Sequence, residues 1–195
     1  MKRTMIKKKQ AVKTVMPFKP RQQGHLDCLC GIYTLVNAVT YLREVRGWKQ
    51  QSQLMAKILE HMKAKGVTPI IERLTHEGTR LDEIASALKY IISPNYDIKR
   101  AKPYHHNPET TLQHFFRHCQ GFLEQKSENK AIILIGIGGC HDHWTLIYCI
   151  TETRLLLQDS SQLKYLGKQY CCLPTDEQQK THILYPTHTY FLWVD

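Results

Sequence analysis

The chain has no aspartate or glutamate before Asp27, while Lys2, Arg3, Lys7, Lys8, Lys9, Lys13, Lys19 and Arg21 all precede it. Those eight cations make up most of the formal net charge of +10, and without them the rest of the chain keeps only +2. The basicity therefore belongs to a leader, read as a tail over residues 1–20, and residues 21–195 are read as a single domain. Such a tail suits weak contact with an acidic partner or nucleic acid. Phe18 is its only aromatic residue, so base stacking along it is poorly supplied, and nucleic-acid binding is not the expected main activity.

Long apolar runs are also missing. No stretch approaches the roughly 20 residues of a membrane span, and the leader lacks the contiguous apolar region of a secretory signal. No internal repeat and no Gly/Ser- or Pro-rich linker divides the chain. At 195 residues and 42% hydrophobic, it can bury one real core but hardly two. The seven cysteines are odd in number, and Cys28 with Cys30 and Cys171 with Cys172 lie too close for a spaced disulfide framework. The expected compartment is reducing and cytoplasmic, with export that needs no cleaved signal left open. No cofactor motif is present, and none is expected to be needed.

What is present begins with helical patterning. Apolar residues at Ile32, Leu35, Val36, Val39, Leu42 and Val45 give one buried face over 28–46, with Asp27 as N-cap and Gly47 as stop. A second helix is expected from Gln51 to Lys65, closed by Gly66. A third runs from Thr79 to Ile92 behind the pattern Thr79-x-x-Asp82, and a fourth from Thr110 to Gln125. From residue 131 the character changes. "AIILIGI" (131–137), "HWTLIYCI" (143–150) and "RLLLQD" (154–159) have the length and composition of strands. Residues 164–173 and 182–195 add more, with Pro186 at a break or edge. Helices followed by an antiparallel sheet make an α+β domain.

Cys30 falls at the predicted start of the first helix, where backbone N–H groups and the helix dipole favour a thiolate. Gly31 beside it offers room for a substrate backbone. Cys28 lies two residues earlier. A cysteine nucleophile needs a base, and His143 opens an apolar strand just after the glycines of "GIGGC". Strands 143–150 and 154–159 flank the polar Thr151-Glu152-Thr153, so they form a hairpin. The midpoint of His143 and Asp159 is residue 151, which places the acid across from the imidazole. His141 gives a midpoint at Ile150 and fits less well. Cys30, His143 and Asp159 thus make a possible triad of nucleophile, base and orienting carboxylate. A glutamine upstream, Gln22 or Gln23, would join the Cys30 backbone N–H in holding an oxyanion, and Gln23 is preferred because Gly24 adjoins it.

In this order the segments "QGHLDCLCGIY", "HWTLI" and "LLLQDSS" resemble the Gln, Cys-Gly, His-Trp and Asp blocks of papain-like cysteine peptidases. The likeness is greatest to the compact bacterial branch of bacteriocin-leader peptidases and effector-type hydrolases. The resemblance implies a helical half with the cysteine at a helix N-terminus, packed on an antiparallel sheet carrying His and Asp. It also implies acyl transfer through a thioester on a protein substrate, as a protease or glutamine deamidase. Transglutamination or other acyl transfer would use the same site. Alignment on Asp27-Cys28 selects Cys28 instead, so Cys28 stands as the alternative nucleophile. A different class of function is a structural zinc module, using Cys28, Cys30, Cys140, His141 and His143.

Overall fold

The computed structural model describes residues 19–24, 28–64, 70–106, 109–126 and 130–195. The basic leader through residue 18, the N-cap residue Asp27 and the helix stop at Gly66 lie outside the described residues. Helices occupy the N-terminal half and a mostly antiparallel sheet the C-terminal half, so the α+β class is observed.

The first helix, α1, is Cys30–Arg43. Its periodic residues Ile32, Leu35, Val36, Val39 and Leu42 are all buried, each contributing roughly 1.5–3 kcal/mol relative to exposure. The helix ends earlier than expected. Glu44, not Gly47, turns the chain, with φ of 55°, and its carboxylate pairs with Lys130. Next come α2 (Trp48–Ala64), α3 (Ile70–Glu77) and α4 (Leu81–Ala87). A π-helical turn at Leu88–Ile92 leads from α4 into α5 (Ser93–Tyr96). The start of α4 is one residue later than the expected Thr79 cap. Glu83 accepts the Arg80 backbone N–H at 2.8 Å, so the reciprocal cap sits one position along. Thr79 is left to pack elsewhere.

A short strand, β1 (Lys99–Ala101), comes before α6 (Leu112–Gln125), whose N-cap Thr111 accepts from the His114 N–H. The remaining strands are β2 (Ala131–Gly139), β3 (His143–Ile150), β4 (Arg154–Gln158), β5 (Tyr165–Gly167), β6 (Cys171–Cys172) and β7 (His182–Trp193). They hydrogen-bond in the order β1-β7-β2-β3-β4-β5, and β6 pairs with β7 in parallel, among the described residues the one departure from an antiparallel sheet.

Apolar side chains cover both faces of the sheet. Ile132, Leu134, Trp144, Leu146, Tyr190 and Leu192 pack with α1, α2 and α4, while Ile133, Ile135, Ile137, Ile147 and Phe191 pack with Phe115 and Cys119 of α6. Burial on both faces explains why β2 reads as an unbroken apolar run and does not alternate. Pro186 lies in a central strand, but where β7 departs from its β2 register between Ile135 and Ile137. The ring therefore costs no ladder bond.

Candidate active site

Cys30 is the first residue of α1. One turn along, on the same helical face, Thr34 Oγ1 donates to the Trp144 carbonyl at 2.8 Å. This buried bond sets the start of α1 against the residue that follows His143. Trp144 Nε1 donates in turn to the Thr79 carbonyl at 2.8 Å. Thr79 completes the arrangement by packing on Gly31, where an added Cβ would lie 2.6 Å from Thr79 Cβ. Gly31 is thus needed for close approach of α1 to residue 79. That corrects the expectation that it makes room for a substrate backbone. The N-cap position of α1 is Leu29, whose side chain makes no capping hydrogen bond.

The three residues of the expected triad meet. Cys30 is 7% exposed, His143 9% and Asp159 2%. His143 Nε2 donates to Asp159 Oδ2 at 2.6 Å, and the Cys30 thiol lies close enough to the imidazole to help raise its pKa. With Nε2 engaged by the carboxylate, Nδ1 is the nitrogen that serves the sulfur. Burial opposes charge on this ring. The hydrogen bonds and charges of Asp159 and Cys30 outweigh it and hold the imidazole pKa up at about 9. Burial likewise opposes the Asp159 charge, but the His143 hydrogen bond and charge, with the Ser161 N–H, bring that carboxyl below its ordinary value. Both shifts describe one charged pair. The other carboxylate oxygen, Oδ1, accepts from the Ser161 N–H at 2.7 Å and the Leu163 N–H at 3.1 Å. Asp159 therefore shapes the turn of "DSS" and holds the histidine at once.

The hairpin register differs from the midpoint expectation. Leu146 pairs with Gln158 and Ile147 with Leu157, whereas nearer the turn Cys149 pairs with Leu156 and Ile150 with Leu155. Continuing the first pairing places Asp159 opposite Thr145, so His143 is its diagonal neighbour and not its direct partner. The residue between the two registers is Tyr148, an extra residue on β3. Without that bulge, Asp159 would fall opposite Leu146 and point to the other face of the sheet. The one-residue bulge is what restores Asp159 to the side of His143.

The two glutamines separate by their partners. Gln22 Nε2 donates to the carbonyls of Pro20 at 3.2 Å and Asp159 at 3.3 Å, so its amide is committed to backbone. The Gln23 backbone N–H donates to the Ser160 carbonyl at 3.0 Å, and its Oε1 accepts from Ser160 Oγ at 3.3 Å. Holding the oxygen this way turns the Gln23 NH2 away from Ser160. Gln23 is thereby anchored to the residue next to Asp159.

Cys28 lies outside α1 and is exposed, while Cys30 is buried. The thiol close enough to act on the His143 imidazole is that of Cys30. The cysteine and histidine cluster considered for zinc does not form as expected either. Cys140 and His141 gather with His182, their ligand atoms all within 4.8 Å of one another, and Cys28, Cys30 and His143 are not part of that group. His141, Asp142 and His143 line an open cavity of about 320 Å³ together with Ser161, Gln162 and Leu163.

Sequence reading missed Thr34, Thr79, Ser160 and His182. Of these only Thr34 carried a signal, its spacing of one helical turn from Cys30. The others come near through sheet pairing and loop packing that local pattern does not encode. No family model matches the chain, and no curated protein matches it. Among the described residues no helix is long and apolar enough to cross a membrane.

Proposed function

We propose that this chain is a papain-like cysteine hydrolase that acts on a protein substrate through a thioester. The observation that carries the reading is the chain of contacts from the Cys30 thiol at a helix N-terminus, through His143, to the buried carboxylate of Asp159.

The chemistry follows from the order of the groups. His143 is the group that takes the Cys30 proton, and Asp159 stabilises the imidazolium that results. Sulfur attacks the amide carbon and forms the C–S bond, and the carbonyl oxygen takes the negative charge. The Cys30 backbone N–H and the Gln23 amide are the donors assigned to that oxyanion. As the C–N bond breaks, His143 passes its proton to the departing amine. A water then gives a proton back to His143 and attacks the thioester carbon. The C–S bond breaks, releasing a carboxylic acid and regenerating Cys30. If the leaving group is ammonia from a glutamine side chain, the same steps are a deamidation. If a lysine amine replaces the water, they are a transglutamination.

Limiting iodoacetamide, with the modified cysteine located by mass spectrometry, tests the pairing. Cys30 should be alkylated well ahead of the other six cysteines near neutral pH. His143→Ala should slow that labelling by ~100-fold or more, the range in which a positioned base contributes. Preferential labelling of Cys28, or labelling indifferent to His143, would overturn the assignment of Cys30 as nucleophile.

A further inference from the structure

We propose a divalent transition-metal site, best suited to zinc, formed by Cys140, His141 and His182 on the surface where the turn after β2 meets the start of β7. It does not rest on the hydrolase reading, since none of its ligands belongs to the Cys30, His143 and Asp159 group.

The donor set is one thiol sulfur and two imidazole nitrogens, the soft and borderline ligands that zinc takes. Their spacing fits the ion. Zn–S bonds of ~2.3 Å and Zn–N bonds of ~2.0–2.1 Å in a tetrahedron put ligand atoms about 3.3–3.6 Å apart. Cys140 Sγ stands 3.5 Å from His182 Nδ1, and all three ligand atoms lie within 4.8 Å of one another. Small side-chain rotations of His141 complete the approach. The two imidazole rings are already nearly parallel, inclined by 8° with centroids 5.7 Å apart.

The backbone prepares this arrangement. Gly139 pairs with His182 across β2 and β7, and the Cys140 N–H donates to the Thr181 carbonyl at 3.0 Å. Gly139 has φ of 89°, and a Cβ there would lie 2.3 Å from the Thr181 oxygen. A glycine at this position therefore lets the chain pass close against residue 181, which brings Cys140 and His141 over His182. Residues 42 positions apart in sequence are held together by strand pairing and not by the side chains themselves.

On binding, Cys140 coordinates as thiolate and gives its proton to solvent. Three protein ligands leave the fourth tetrahedral position to water. The bound ion would clamp the β2–β3 turn to β7, and that turn leads within two residues to His143. The ion would thus brace the rim of the cleft while keeping one open coordination position.

Zinc titration of the full, reduced chain, together with cobalt substitution, tests this. The account predicts one zinc per chain, a zinc-dependent rise in melting temperature, and a thiolate-to-cobalt charge-transfer band in the near ultraviolet. Cys140→Ser should abolish the band and the thermal shift, and His182→Ala should weaken zinc binding. Cys28→Ala and Cys30→Ala should keep both signals. Substoichiometric binding, or a band that survives Cys140→Ser, would overturn the proposal. So would a band lost in Cys30→Ala, which would place the metal at the Cys30–His143 pair.

Discussion

At the scale of single residues, His143 couples the site to pH. Its pKa stands at about 9 in the folded chain, against an ordinary value of ~6.5. A group raised on folding contributes its full stabilisation below the unfolded value and loses it as pH climbs through the folded one. The contribution of His143 is therefore complete below about pH 6.5 and fades between there and about pH 9. Asp159 is lowered on folding, so its contribution is present above the ordinary carboxyl value and is lost on acidification. The separation of the two His143 values corresponds to on the order of 3 kcal/mol. Urea unfolding of the protein and of His143→Ala at pH 6 and pH 9.5 should show the difference between them shrinking by up to that amount. A difference that stays constant with pH would contradict the charged-pair description. The three residues that meet in the structure, Cys30, His143 and Asp159, were legible in the sequence as a group. Cys30 was marked by the onset of an amphipathic helix, and His143 and Asp159 by polar residues at the ends of apolar strands. The choice between Gln22 and Gln23 was less secure, because it turns on Ser160 and on carbonyls that only the folded chain brings near.

At the scale of elements, the close contact of α1 with the chain before α4 decides where the thiol sits. Gly31 lies against Thr79, with Ile84 Cδ1 3.1 Å from where a Cβ would stand. Gly31→Ala should force the helix start away from residue 79 and destabilise the protein by about 1–3 kcal/mol, as overpacking of a tight contact does. Denaturant melts of Gly31→Ala, Thr79→Gly and the double variant check this. Partial recovery of stability in the double variant is expected, and strict additivity would deny the contact. The hairpin of β3 and β4 shows where element-level reading ran short. Its existence and its turn at residues 151–153 were legible from two apolar runs and a polar gap. Its register was not, since the closing pair is Ile150 with Leu155 and Tyr148 is then accommodated as an extra residue. A midpoint rule has no term for a bulge. It still brought His143 and Asp159 together because the error was two residues, an even number that preserves the face. The capping of α4 was misread by one position for a related reason. Thr79 has the right side chain for an N-cap, but its backbone carbonyl is engaged by Trp144 and its side chain by the contact with Gly31.

At the scale of the whole molecule, a sheet buried on both faces carries α1, α2 and α4 on one side and α6 on the other. The succession of helices and then strands was legible from the change of period near residue 131. β1 was not, because its three residues are all exposed and carry no apolar pattern. The central place of β7 was also hidden, since the last strand in the chain inserts between β1 and β2. That insertion has two consequences for function. It positions His182 beside Cys140, and it leaves β3 and β4 together on one side of β2, so that His143 and Asp159 come from neighbouring strands while Cys30 comes from the helical layer. The proposed chemistry is a thioester formed at Cys30 in this junction. Rapid mixing of the full chain with p-nitrophenyl acetate measures it directly, by the nitrophenolate released and by the position of the acetyl group in the quenched protein. The account predicts a burst approaching one equivalent per chain, with the acetyl on Cys30, and its loss in Cys30→Ala but not in Cys28→Ala. Absence of a burst, or acetyl found on Cys28 or Cys140 in place of Cys30, would contradict it.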